Sequence, residues 1–271
     1  MKFIADEVHH VPAYTIRKVC LESPALYRMG LSATVVRSDK NEHLIRMLIG
    51  NIVFKSTPED IVKAGLTVPI IHYVYVVNLS REKKRLLSRL VKYNPTKGIN
   101  MIMMAREKVP VVERIVRLHR DKKILIFTQF IPQAEEIYDY LTARKIKAGL
   151  ITSNTNPKRR EEYFEAFRRG EIKVLITTTC LDEGVDVPDA HIAIIVSGKG
   201  ERQMVQRVGR ICRRSGGKSV GYVFEIITDS PIERALSKER DVLKNYFLVA
   251  KRGIVRIRPA SGITYFQLNT C

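Results

Sequence analysis

Cysteine is scarce and scattered. Cys20, Cys180, Cys212 and Cys271 lie far apart and form no CxxC pair and no Cys/His cluster, so a structural zinc site is not expected. Long apolar runs are missing too. No stretch reaches the roughly 18 residues a membrane helix needs, and no secretory signal pattern opens the chain, so the expectation is a protein neither secreted nor membrane-spanning. A glycine-rich GxxxxGK[ST] phosphate loop is also absent. The two Gly-Lys pairs, Gly198-Lys199 and Gly217-Lys218, lack the upstream glycine and following helix such a loop requires. Acidic residues are few, 28 Asp and Glu against 47 Lys and Arg.

That imbalance leaves a net charge of +19, which favours a polyanionic partner through counterion release and confers no sequence preference. A hydrophobic content of 45% with regular apolar strands argues for a packed core, not a basic tail. The length of 271 residues fits one large or two small domains.

After about Val109, strand and helix signals alternate as a parallel α/β sheet requires. A helix near Val111 to His119 precedes a strand at Ile124 to Phe127. Pro132 opens a helix whose apolar residues Ala134, Ile137, Tyr138 and Leu141 recur at i, i+3, i+4 and i+7. Asn156 and Pro157 form a cap and first-turn pair, and the helix they start should stop at Gly170. Further strands are expected at Ala148 to Ile151, Val174 to Thr178, Ile192 to Val196 and Val220 to Ile227. Before this region come a short helix at Pro58 to Ala64, a strand at Val68 to Val77 and a basic helix at Ser80 to Tyr93. After it come a charged helix at Pro231 to Leu248 and one or two basic strands from Ile254 to Phe266.

Three short motifs carry chemistry. In QRVGRICR, from Gln206 to Arg213, Arg207, Arg210 and Arg213 stand three residues apart, a spacing expected to set three guanidiniums on one helical face. Arginine grips phosphoryl groups in two-pronged fashion, although a basic helix is also an ordinary solvated surface. Near the start, Phe3, Ile4 and Ala5 run into Asp6, Glu7, Val8 and His9, a hydrophobic strand ending in two carboxylates. One such carboxylate can hold Mg²⁺ through its waters while its neighbour orients the water that attacks phosphorus. Ser32-Ala33-Thr34 follows after a turn.

Together DEVH (Asp6 to His9), SAT (Ser32 to Thr34) and QRVGRICR resemble motifs II, III and VI of superfamily 2 helicases. Thr178 to Pro188 (TTCLDEGVDVP) is similar to motif V, and Ile124 to Phe130 (ILIFTQF) is similar to motif IV. The LDEGVDVPDA wording and the GRICR ending look most like the XPB branch of DNA repair and transcription helicases, particularly its archaeal members.

The resemblance implies an α/β fold, a RecA-like parallel sheet flanked by helices that forms the helicase C-terminal lobe and is preceded by the tail end of the first RecA-like lobe. It implies residues 1–55 as the remnant of that first lobe, 56–109 as a connecting segment with a reduced thumb or none, 110–228 as the second lobe and 229–271 as a C-terminal extension. ATP with Mg²⁺ is the implied nucleotide, the metal held by Asp6 and the water aligned by Glu7. Arg210 and Arg213 are implied as arginine fingers. Gly184, Asp186, Gln206 and Arg207 are implied around the nucleotide, with bracing of motif V as the other role for Arg207. Thr128, Gln129, Thr178 and Thr179 are implied along the DNA backbone, buried strand threonines being the competing explanation. His9, Ser32 and Thr34 are implied as the link between the two sites.

By the same resemblance the chain is expected to be the C-terminal portion of an ATP-dependent DNA helicase or translocase acting in repair or transcription. Its partners would be DNA, the missing N-terminal RecA-like lobe and a nuclease, with the cytoplasm of a prokaryote or the nucleus of a eukaryote as its compartment. Without a phosphate loop, this stretch alone is expected to hydrolyse ATP poorly. Two other classes stay open: a non-catalytic scaffold that binds DNA or a nuclease, and a different superfamily 2 enzyme such as a restriction translocase subunit or an RNA helicase.

Overall fold

In the computed structural model the described residues are 1–32, 41–178, 190–198, 201–214, 217–239, 241–257 and 266–269. They divide into two compact units, Met1–Thr57 and Pro58–Cys271.

The first unit is small. Strand β1 (Lys2–Ala5) ends at Asp6, and a short 3-10 turn at Val8–His10 leads into α1 (Tyr14–Glu22). Strand β2 (Tyr27–Gly30) returns parallel to β1 with Ala5 opposite Gly30, and α2 (Glu42–Leu48) closes the unit. Its core is a cluster of Val8, Val11, Cys20 and Ile45. Gly30 is dictated by crowding, because a Cβ at that position would overlap the Val8 side chain. Ile4, Tyr27 and Met29 on this two-stranded sheet remain exposed.

The second unit opens with α3 (Pro58–Lys63), β3 (Ile70–Val77), α4 (Arg81–Tyr93) and α5 (Pro95–Met103). It continues through α6 (Val109–Leu118), β4 (Ile124–Phe127), α7 (Ile131–Ala143), β5 (Ala148–Ile151), α8 (Pro157–Arg169) and β6 (Val174–Thr177). Then follow β7 (Ile192–Ile195), α9 (Glu201–Cys212), β8 (Gly221–Thr228), α10 (Pro231–Glu239), β9 (Val249–Ile257) and β10 (Phe266–Asn269). The strand order is β10-β9-β3-β8-β7-β4-β6-β5. Among the described strands of this sheet, β10 pairs antiparallel with β9, and the seven strands from β9 to β5 run parallel.

Strands β4, β6 and β7 are buried at every position, as continuous Ile/Leu/Val runs covered on both faces require. Alternate residues sort the core. Ile124, Ile126, Ile176 and Ile194 pack with Ile115, Ile137 and Leu141 of α6 and α7. Leu125, Phe127, Leu175 and Ile195 pack with Phe164, Phe167, Val208 and Ile211 of α8 and α9.

The expected punctuation is present. The Asn156 side chain caps α8 by accepting from the Lys158 N–H at 2.9 Å, and Gly170 ends it in the left-handed region with φ 77°. The segments on either side of residues 110–228 also contribute strands: β3 lies between β8 and β9, and all three run parallel. No helix among the described residues is long and apolar enough to cross a membrane.

Candidate functional site

The carboxylate end of β1 is tightly built. Glu7 adopts a left-handed backbone, φ 48° and ψ 52°, which L residues with side chains rarely occupy. Local bonds hold it there: its N–H donates to Asp6 Oδ1 at 2.9 Å, and its carbonyl accepts from the His10 N–H at 2.9 Å. Backbone strain of this kind concentrates where side chains must be aimed. The adjacent His9 is buried, and its Nδ1 lies 2.8 Å from Ser32 Oγ and 3.3 Å from Glu7 Oε2. One imidazole nitrogen therefore stands between the strand-end carboxylate and the loop after β2. Parallel pairing causes this meeting, since Leu31 N–H donates to Ala5 O and Val8 N–H donates to Leu31 O.

Asp6 is exposed, with only its Oδ1 engaged among the described residues. A carboxylate with an outward oxygen suits Mg²⁺, which keeps several waters and takes one or two protein carboxylates. The donor set fits that metal.

In the second unit, the C-terminal ends of β4 and β7 are tied together by Arg207, which is 2% exposed. Its Nη1 donates to Ser197 O at 3.1 Å, its Nη2 donates to Thr128 O at 3.4 Å, and its guanidinium carbon lies 5.2 Å from the Phe127 ring centroid. The bonds continue outward. Gln129 N–H donates to Ser197 Oγ at 2.8 Å, Ser197 Oγ donates to Gln133 Oε1 at 2.5 Å, and Gln133 Nε2 donates to Met103 O at 2.9 Å. Met103 O also accepts from Lys108 Nζ at 2.9 Å, and that buried ammonium donates to Val196 O at 2.8 Å and to Glu233 Oε1 at 2.6 Å. Glu233 Oε2 in turn accepts the Thr228 N–H at 2.7 Å. A continuous buried polar network thus fixes the ends of β4, β7 and β8.

The three arginines of α9 do not share one environment. Arg207 is buried, Arg210 is half-buried and Arg213 is exposed. Three residues fall about 60° short of a full turn, so each step of three rotates the side chain from the core toward solvent. This corrects the expectation of a single guanidinium face. Arg213 lies just past the helix end, where it forms an antiparallel bridge with Thr67 while Val68 N–H donates to Cys212 O at 2.8 Å. Cys212 itself is inert as a nucleophile, its thiol pushed up to about 12 by burial.

Of the residues expected along the DNA backbone, Thr128 and Thr178 are 0% and 4% exposed. The Thr128 hydroxyl donates to Phe130 O at 3.2 Å. Gln129 is half-buried at the strand end. Thr34, Thr179, Gly184 and Asp186 lie outside the described residues, as does the side chain of Gln206. Ser197, Gln133, Lys108 and Glu233 were not singled out from the sequence, where isolated polar residues at strand ends and in charged runs carry no periodic signal.

The helices before β4 add a cationic feature. Helix α4, capped by Ser80 Oγ accepting from Lys83 N–H at 3.2 Å, packs against α5 as a hairpin. Lys83 pairs with Glu107 and Lys84 with Asp229 on the body of the unit. Arg81, Arg85, Arg89 and Lys92 are exposed along the stripe that i, i+4 and i, i+3 spacing produces, and pair with no carboxylate among the described residues.

Comparison with known proteins agrees with this picture. The helicase conserved C-terminal domain matches residues 107–215. The chain is 30% identical to the DNA 3'-5' translocase XPB2 of Sulfurisphaera tokodaii, over 88% of this chain and 61% of that protein. It is 32% identical to the putative DNA 3'-5' helicase Rad25 of Halobacterium salinarum, over 88% of this chain and 38% of that protein. The chain spans less than two thirds of the length of these relatives. Among solved structures, S. cerevisiae Dbp5 bound to RNA and ADP BeF3 superposes with a TM-score of 0.62 at 17% identity, covering 93% of this chain and 59% of Dbp5, a likeness of fold alone. With seven parallel strands in its main sheet, a segment that matches the helicase conserved C-terminal domain and these relatives, the chain is similar to the XPB-type superfamily 2 helicases.

Proposed function

We propose that this chain is the arginine-finger half of an ATP-dependent DNA helicase or translocase acting in DNA repair or transcription. The observation that carries the reading is the graded helix α9, in which a buried Arg207 anchors the strand ends and holds Arg210 and Arg213 progressively closer to solvent. A guanidinium that must neutralise charge on a phosphoryl group needs a rigid base and an outward head. Arg207 is the base, a positioning residue; Arg210 and Arg213 are the heads.

In this reading Asp6 would hold Mg²⁺, which when bound screens the charge of the phosphates. Glu7 orients the attacking water, its carboxylate steered by the strained backbone and by His9. The His9–Ser32 contact passes the state of the carboxylates to the loop after β2, and Gln206, Gly184 and Asp186 complete the nucleotide surroundings. The phosphate-cradling part of the site belongs to the rest of the first RecA-like lobe, to which residues 1–55 are assigned. The exposed Ile4, Tyr27 and Met29 support that assignment, because a two-stranded parallel sheet with apolar side chains in water is stable only when further elements cover it.

DNA is the partner that the +19 charge and the α4 stripe support. Its backbone would run along the ends of β4 and β6, near Gln129 and the segment Thr178-Thr179. Residues 110–228 form the second lobe in this scheme, and 56–109 and 229–271 flank it with strands that widen the same sheet. Such a protein works where DNA is, the cytoplasm of a prokaryote or the nucleus of a eukaryote.

The test is Arg210→Ala in a protein that includes the nucleotide-cradling lobe. DNA-stimulated ATP hydrolysis should fall by about three to five powers of ten with nucleotide affinity nearly unchanged. Arg210→Lys should restore little, since an ammonium cannot make the two-pronged contact. Turnover at the unsubstituted rate in either variant would rule out the finger assignment.

A further inference from the structure

The edge of the sheet opposite Thr128, Ser197 and Arg207 holds a cavity of about 500 Å³. That volume lies in the range of ligand sites, roughly 300–1,000 Å³. Its apolar lining comes from Val116 of α6, Ile124 and Val174 at the first positions of β4 and β6, and Ile146 just before β5. Four residues of β4 separate it from the strand ends described above, roughly 13 Å at the usual rise of a strand.

Five cations line the same cavity: Arg117, Arg120, Lys122, Lys147 and Lys173. Arg117 is matched by Glu113 at 2.7 Å and Lys122 by Asp121 at 3.2 Å. Arg120, Lys147 and Lys173 have no carboxylate within 4.0 Å among the described residues. The one carboxylate in the lining among the described residues, Glu171, is already engaged by Arg169 Nε at 2.7 Å. Nearby His191 is held below the usual imidazole range, first by burial and then by Lys218, Lys122 and Lys123, as a positive local potential requires.

The ligand this surface fits is anionic at its edges and aliphatic at its centre. A nucleic acid offers phosphates and flat rings, and single strands are held by aromatic platforms on which bases stack. Among the described residues, no aromatic side chain lines this cavity. We propose that it docks an acidic segment of a partner protein, which seats one branched aliphatic side chain against the half-buried Ile146, over a floor formed by the buried Val116, Ile124 and Val174, and lays its carboxylates on Arg120, Lys147 and Lys173. The site is independent of the motor chemistry, because it uses the other edge of the sheet and, of the helicase motif residues, only Ile124, which forms part of its floor.

Fluorescence anisotropy with the full chain tests it. The probe is a fluorescein-labelled decapeptide of Asp and Glu with a single central leucine; the control carries serine in its place. The leucine peptide should bind at least tenfold more tightly than the serine peptide. The double charge reversal Lys147→Glu/Lys173→Glu should remove that advantage, with an unchanged urea midpoint showing that the fold persists. An unlabelled oligo-dT 20-mer in tenfold excess should leave the leucine peptide bound. Equal binding of the two peptides, indifference to the double reversal, or displacement by the oligonucleotide would each overturn the proposal, the last in favour of a nucleic-acid surface.

Discussion

At the scale of single residues, Lys108 shows how a buried charge is tolerated. Its ammonium has no exposure to water, and its donors reach two carbonyls and the Glu233 carboxylate. Such a pair contributes little net stability over apolar replacements, yet removing one member leaves the other charged and dry. Lys108→Met should therefore destabilise the protein by about 3–5 kcal/mol. Adding Glu233→Gln should recover most of that loss, because the amide keeps an acceptor for Thr228 N–H without a charge. Urea unfolding of the two variants checks this; equal loss in single and double variants would show that the network, not the stranded charge, dominates. None of this is legible in the run Arg106-Glu107-Lys108, which reads as solvated. The arginines of QRVGRICR were legible as a group, whereas their different depths follow from helical rotation and from which side of α9 the sheet occupies.

At the scale of elements, Gly98 decides whether the α4–α5 hairpin can close. A Cβ there would sit 2.7 Å from the Val91 backbone nitrogen and Cα, atoms that cannot rotate away. Gly98→Ala should cost about 1–3 kcal/mol through overpacking. Helix propensity alone predicts the reverse sign, a gain of about 1 kcal/mol, so a urea midpoint that rises would refute the close approach. The helix α4 itself was readable as a basic helix that starts at Ser80. Its partner α5 was not, because Pro95, Gly98 and Asn100 weaken every helical signal within Pro95–Met103. Strand β3 was likewise readable as a strand, but its place between β8 and β9 pairs segments more than 140 residues apart in sequence, Ile70 lying opposite Gly221.

At the scale of the whole molecule, the +19 charge predicts binding that weakens steeply with salt. The logarithm of the affinity for duplex DNA should fall linearly with the logarithm of salt concentration, without preference among sequences. Replacing Arg85 and Arg89 with Gln should reduce that slope by about 1.8, since each phosphate left without its cation accounts for about 0.9. An unchanged slope would place the DNA away from α4, and a salt-independent affinity would remove the electrostatic account altogether.

The sequence by itself determined the class of fold and the order of its motifs, because strand hydrophobicity, helix periodicity and caps such as Asn156 act within a few residues. Only the tertiary structure decided which polar groups are buried and joined. Arg207 meets Thr128 across 79 residues and Lys108 meets Glu233 across 125, and such pairings depend on how the sheet orders its strands, which no local pattern encodes.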